Sequence, residues 1–362
     1  MELVQTYLVA IGLPFLLALT LVPASMRVAA WVGAVDKPNA RKMHVKPMPR
    51  LGGLGIFVAF MAVVLVAPFV PLKQPLIGIL IGGGLIFALG VLDDVFRLNA
   101  WTKLAAQIVA ALVTVHFGVK VQFLSVPFDG MVDLGMMSIP LTVLWIIGVT
   151  NAVNLIDGLD GLAGGVSGIA ALTVGVVALL AGQHAVAFVA FCLVGAVAGF
   201  LPYNYHPAKT FMGDSGALFL GFTLSCLSIA GLAKSAALIS LFVPVVILAI
   251  PIFDTLFAIV RRVNNRQPIF KPDKEHLHHQ LIAMGFSHKR TVLIIYGFNA
   301  MLGIVAVWLT YLTSPQAMLL LGLLAIVIII GARWLGVAAG REPDAQAESC
   351  VASEPDRISE GV

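Results

Sequence analysis

The stretch Thr150-Asn151-Ala152-Val153-Asn154-Leu155-Ile156-Asp157-Gly158-Leu159-Asp160-Gly161-Leu162 joins two strongly apolar runs, yet carries two amides and two carboxylates. A charged side chain at mid-bilayer costs roughly 2.5–3.5 kcal/mol on insertion scales. If the flanking runs cross a membrane, these residues need its edge, a water-filled cavity or a partner ion. The rest of the chain shows that they do cross. Of 362 residues, 60% are hydrophobic and 11% charged, with a mean hydropathy of +1.01. Many windows exceed the length of a span without a single charge. This composition excludes a soluble domain and predicts an all-α polytopic integral membrane protein.

About eleven apolar runs of spanning character follow one another: 3–25, 51–71, 76–92, 104–118, 139–155, 162–181, 185–201, 217–232, 236–260, 292–312 and 317–334. The first lacks a basic leader and a small-residue cleavage site, so it reads as a span rather than a removable signal. With alternate loops on alternate sides, one side holds all but Lys73, Lys120 and Lys234 of the 22 lysines and arginines. That side is expected to be cytoplasmic, with the N-terminus outside and the C-terminus inside. Residues 1–340 read as a single transmembrane catalytic domain and 341–362 as a polar, disordered tail. The alternating segment around Phe128 and Gly130, on the outer side, is expected to form a short hairpin. Cys192, Cys226 and Cys350 suggest neither a disulfide framework nor a zinc site.

The acidic residues sort with the basic ones. Outside the tail, all but Glu2, Asp129 and Asp133 fall at or near the cytoplasmic side. Positive-inside sorting does not require this, whereas a metal and polyanion site at that face would. Asp93 and Asp94 end the third run. A lone Asp there reads as a solvated helix end, and a capping role conflicts with the macrodipole of a helix C-terminus. Asp157 and Asp160 share one face if helical, although Asp160 alone also suits the N-cap of the next span. Asp214 opens a further apolar helix, where capping is again the plain alternative. Around it, Asn204, Lys209 and Phe211 offer an amide, a cation and an aromatic face, a set suited to a nucleoside diphosphate. In the longest basic loop His276, His278 and His279 lack companion cysteines, and oxygen donors prevail elsewhere. That balance favours Mg²⁺ over zinc. Arg50 with Gly52 and Gly53 has the look of a phosphate-approach turn. Asp254 stands inside the ninth run, a position that marks function or its support.

Taken together, Leu92-Asp93-Asp94, the 151–161 stretch, Phe211-Met212-Gly213-Asp214-Ser215-Gly216 and His276-Leu277-His278-His279 resemble the polyprenyl-phosphate N-acetylhexosamine-1-phosphate transferase family. The resemblance runs from about residue 35 to 290. The segments 36–44 and 272–279 look like the teichoic-acid-initiating N-acetylglucosaminyl branch. Leu277 interrupts the three consecutive histidines of the muramoyl-pentapeptide enzymes. The resemblance implies attack of undecaprenyl phosphate on UDP-N-acetylglucosamine, with UMP leaving, as the first membrane step of a cell-envelope glycopolymer. It implies Mg²⁺, with Mn²⁺ able to substitute, held by Asp214 and Asp94. Asp93 is then the base for the lipid phosphate. Asp93, Asp94, Asp214, His278 and His279 form the implied catalytic set. Asn154, Asp157, Gly158, Asp160, Asn204 and Phe211 match the nucleoside pocket, with Phe211 stacking on uracil. Lys103, His276 and Arg50 are phosphate-side candidates.

The implied partners are the UDP-sugar, undecaprenyl phosphate and the bilayer of a bacterial plasma membrane. No nucleic acid is expected, and a homodimer is left open. Two alternatives stand beside this reading. One is the same chemistry on another UDP-N-acetylated sugar, including UDP-N-acetylmuramoyl-pentapeptide. The other is a transporter, which would place its carboxylates near mid-bilayer between inverted repeats. No repeat is visible in the sequence.

Overall fold

The computed structural model describes residues 2–36, 47–67, 73–126, 130–232, 239–267 and 276–334. Its helices are α1 (Glu2–Val32), α2 (Gly52–Val66), α3 (Gln74–Phe96), α4 (Ala100–His116), α5 (Ser138–Leu155), α6 (Leu162–Leu180) and α7 (His184–Asn204). They continue as α8 (Gly213–Leu232), α9 (Ile239–Ile247), α10 (Ala249–Asn264), α11 (Leu277–Ala283), α12 (His288–Leu309) and α13 (Ser314–Trp334). Among the described residues, eight helices (α1, α3, α5, α6, α7, α8, α12 and α13) are long and apolar enough to cross a membrane, while α2 and α4 are shorter apolar helices. A polytopic all-α membrane protein is what the composition called for.

α8 is the centre of the bundle. Of its spanning window 89% is buried, against 6% for α13 at the rim. Helices in lipid associate through close packing of small residues rather than through hydrophobic exclusion from water. α8 supplies those residues along its length. A Cβ on Gly216 would collide with Met212 and Gly53, and one on Gly221 would press on the Thr150 backbone of α5. The peripheral α13 instead exposes Leu319, Leu323, Ile326 and Ile330 along one stripe. In water that stripe would be an aggregation surface, but against acyl chains it is the solvated face.

Two small hairpins complete the described chain. β1 (Val35–Asp36) pairs antiparallel with β2 (Met48–Pro49), and β3 (Phe123–Val126) with β4 (Gly130–Asp133). The second is the hairpin expected around residue 128. The ninth run departs from expectation: instead of one continuous span it forms α9 and α10, broken at Leu248 (φ −104°, ψ 19°). Pro251 explains the break, because its ring opposes a helical carbonyl four residues earlier, at Ile247, where α9 ends. Residues 37–46 and 272–275, which carried part of the subfamily resemblance, lie outside the described residues.

Candidate active site

α8 also sets the site, through its first turn. Gly213 has φ +74°, and a Cβ there would strike the Arg50 carbonyl and the Asp94 carboxylate. Only glycine allows that approach. With it, Asp94 Oδ1 accepts the Asp214 N–H and Oδ2 accepts the Ser215 N–H, both at 3.0 Å. Asp94 therefore does cap a helix, contrary to the macrodipole argument. The helix it caps is α8, whose positive N-terminal end attracts a carboxylate that the C-terminal end of α3 repels. Asp93, next along α3, points elsewhere: its Oδ1 accepts the Leu98 N–H at 2.7 Å and its Oδ2 receives Lys103 Nζ at 2.9 Å.

These contacts gather four helix ends. Lys103, in the first turn of α4, bridges Asp93 and Asp214 (3.3 Å to Asp214 Oδ2). Arg50, just before α2, lies 3.8 Å from Asp94 and 4.0 Å from Asp214. The Gly52 and Gly53 N–H groups donate to the Phe211 and Met212 carbonyls at 3.0 and 2.9 Å. The phosphate-approach reading of that glycine pair is corrected accordingly: the donors are spent on tying α2 to the strand-like entry of α8. Arg50 remains, beside a carboxylate cluster.

Asp157 joins the cluster from the loop between α5 and α6. Burial first, then the charges of Asp214 and Asp94, push its carboxyl up to about 7. Gly158 faces His278, whose Nε2 would be 2.6 Å from a Cβ at that position. His278 is buried with this nitrogen unpaired, and burial aided by His279 takes its imidazole down to about 3. It is neutral at physiological pH. His279 is part-exposed, its ring 4.2 Å from that of His278. His276 is buried, and its Nδ1 lies 2.9 Å from Asp254 Oδ2, while Asp254 Oδ1 accepts the Leu277 N–H at 2.8 Å. Asp254, in α10, thus supports the start of α11.

Other expected site residues lie close by but are differently employed. Asn204 accepts the Gly161 N–H at 3.0 Å and donates to the Thr210 carbonyl at 2.9 Å, both ends of a buried amide committed to backbone. Asn151 pairs reciprocally with Gln107 of α4. Asn154, part-exposed, makes no such pairing among the described residues. Phe211 is part-buried at the entry to α8. Asp160 does not cap α6, whose N-cap is Gly161 without any side-chain bond. Its carboxylate instead meets His206 Nδ1 at 2.8 Å, with His288 stacked beyond. Sequence reasoning missed this trio, and it missed the Asp254–His276 pair. Neither has a local spacing that would have marked it.

Helix ends that bring Asp93, Asp94, Asp157 and Asp214 against one lysine and one arginine define a membrane-embedded enzyme that manages anions. A family model described as Glycosyl transferase family 4 matches residues 76–232, and the chain belongs to that family. It is 45% identical to a probable undecaprenyl-phosphate N-acetylglucosaminyl 1-phosphate transferase of Bacillus subtilis, over 91% of this chain and 92% of the relative. A decaprenyl-phosphate N-acetylglucosaminephosphotransferase of Mycolicibacterium smegmatis is 36% identical over 82% of this chain and 80% of its own. An undecaprenyl-phosphate alpha-N-acetylglucosaminyl 1-phosphate transferase of Thermotoga maritima is 32% identical, covering 74% and 79%.

Proposed function

We propose that the protein transfers N-acetylglucosamine 1-phosphate from UDP-N-acetylglucosamine to undecaprenyl phosphate, releasing UMP and leaving an undecaprenyl-diphospho-sugar. The observation that carries this reading is the match to the Bacillus subtilis relative along nearly the whole of both chains. The charged cluster supplies the chemistry that such a transfer needs.

Two anions must meet, so cations have to line their path. Lys103 and Arg50 do so, each held by two carboxylates and each part-exposed toward the substrates. The donor set around Asp214 is all oxygen, which fits Mg²⁺, or Mn²⁺ in its place, better than a softer ion. Asp214 is the principal ligand in this reading. Asp94 contributes the lone pairs its two helix bonds leave over, and Asp157 stands ready as a third carboxylate. When bound, the ion neutralises the diphosphate and the departing UMP. Asp93 Oδ2 takes the remaining proton of the lipid phosphate, with Lys103 keeping that oxygen in place. Phe211 offers its ring to uracil beside Asn154 and Gly158. His279 and His276 sit on the phosphate side, with His278 packing the loop that presents Asp157.

The topology belongs to the same proposal. The eight long spans, α2, α4 and the broken pair α9–α10 give eleven crossings, with the N-terminus outside and the site facing the cytoplasm of a bacterial cell. The test is to incubate purified protein with undecaprenyl phosphate, Mg²⁺ and a panel of UDP-sugars, and to identify the lipid product by mass. Product from UDP-N-acetylglucosamine alone is expected. Product only from another UDP-sugar would reassign the donor, and no product from any would overturn the reading.

A further inference from the structure

We propose that Asp160, His206 and His288 form a second cation site, built for a borderline divalent ion of the zinc class and separate from the all-oxygen cluster. The three residues come from three parts of the fold: the loop before α6, the segment after α7, and the first residue of α12. One ligand atom from each lies within 4.8 Å of the other two. Asp160 Oδ2 is 2.8 Å from His206 Nδ1 and also accepts the Ala208 N–H at 3.2 Å. His288 Nε2 is 3.4 Å from the Asp160 carbonyl oxygen. The two imidazoles stack with centroids 4.2 Å apart and planes 22° from parallel.

Asp160 is not spent on capping α6, whose N-cap is Gly161, and its carboxylate turns to the segment after α7 instead. Two imidazoles and one carboxylate are protein donors that zinc takes in open sites, where water completes the shell. Imidazole nitrogen also discriminates against Mg²⁺, which prefers oxygen. Zinc–ligand bonds of about 2.0–2.1 Å put tetrahedral donors roughly 3.3 Å apart, so the widest pair of the trio closes by up to about 1.5 Å while the Asp160–His206 pair, at 2.8 Å, opens slightly. It has the freedom to do so, since the side chains of His206 and Asp160 are 39% and 18% exposed and ring rotation unstacks the imidazoles. The surrounding shell is already fixed: Tyr296 donates its hydroxyl to the Gly161 carbonyl, and the Ala208 N–H orients the carboxylate.

Asp160 lies three residues beyond Asp157 on the same loop. An ion that claims its carboxylate withdraws it from the nucleoside pocket that the family resemblance implies for it, so occupancy inhibits transfer. That consequence, unlike the site itself, rests on the function proposed above.

The test is a titration of the purified, chelator-treated protein with Co²⁺ as a spectroscopic stand-in for zinc, in excess Mg²⁺ so that the oxygen cluster is occupied. Expected are a visible d–d absorption of tetrahedral character and its displacement by Zn²⁺. His206→Ala and His288→Ala should each weaken binding by more than the roughly tenfold that loss of an outer-shell partner costs. His279→Ala should leave the absorption unchanged. Should His288→Ala not elute as a folded species, His288→Gln keeps a hydrogen-bonding group of similar reach and is read instead. Absence of the absorption, or equal affinity in the His206 and His288 variants, overturns the site. Zn²⁺ binding that leaves UMP release unaffected upholds the site and removes Asp160 from the nucleoside pocket.

Discussion

Asp94 and Asp214 are both acidic and both essential to the proposed transfer, but for different physical reasons. Asp94 satisfies two N–H groups of α8 inside the bundle, so Asp94→Ala leaves them without acceptors and should cost about 1–2 kcal/mol, the usual loss for a deleted cap. Thermal unfolding in detergent measures this, and Asp214→Asn, which leaves no helix N–H without an acceptor, should melt no lower than the parent. Asp157 makes a separate prediction through its raised carboxyl. A carboxyl whose folded pKa lies above its unfolded value binds the proton more tightly when folded. Folding therefore weakens as pH rises from the ordinary carboxylate range near 4 to about 7, and the full cost persists above it. Asn carries no such charge. In chelator, Asp157→Asn should melt above the parent at about pH 8, with the margin shrinking toward about pH 4. A margin independent of pH would contradict the assigned environment. At this scale the sequence revealed which residues were out of place in an apolar chain. It did not reveal their partners: Lys103 reaches Asp214, 111 positions away, and no spacing rule encodes that contact.

Helices α3 and α8 meet where Gly90 faces Ser215. A Cβ on Gly90 would collide with the Ser215 Cα and lie 2.6 Å from its nitrogen, so the two backbones approach as closely as chains can. Gly90 and Asp94 are one turn apart on the same face. Gly90→Leu should therefore push α8 out of reach of its cap, with an overpacking cost of about 1–3 kcal/mol and loss of transfer activity. Gly84, on the same helix, has nothing within 4 Å of a built Cβ, and Gly84→Ala should leave both stability and activity unchanged. Equal effects of the two substitutions, read by thermal unfolding and UMP release, would contradict the role assigned to the α3–α8 approach. The helices themselves were legible from apolar run length, since a lipid-embedded backbone has little choice but to bond within itself. The break between α9 and α10 was missed. The run 236–260 holds two prolines, of which Pro244 is carried inside α9 while Pro251 interrupts the helix four residues upstream, and nothing in the sequence tells the two apart.

For the molecule as a whole, five helix termini distant in sequence meet at one place. Run lengths and charge sorting predicted that meeting, because carboxylates in so apolar a chain have few tolerable positions and nearly all of them occur at junctions. The division of labour within it was not predictable. Capping by Asp94, bracing by Asn204 and the burial of His278 beside Gly158 depend on distances that only the assembled bundle sets. Asp214 is the part-exposed carboxylate through which that convergence is proposed to act on substrate. The most direct measurement is UMP release by purified parent and Asp214→Asn proteins supplied with UDP-N-acetylglucosamine, undecaprenyl phosphate and Mg²⁺. The expected result is release by the parent and a loss of at least about a hundredfold in the variant, the scale of a deleted electrostatic contact in a transition state, with no loss of melting temperature. Near-parental release from Asp214→Asn would contradict that role and the convergence built around it.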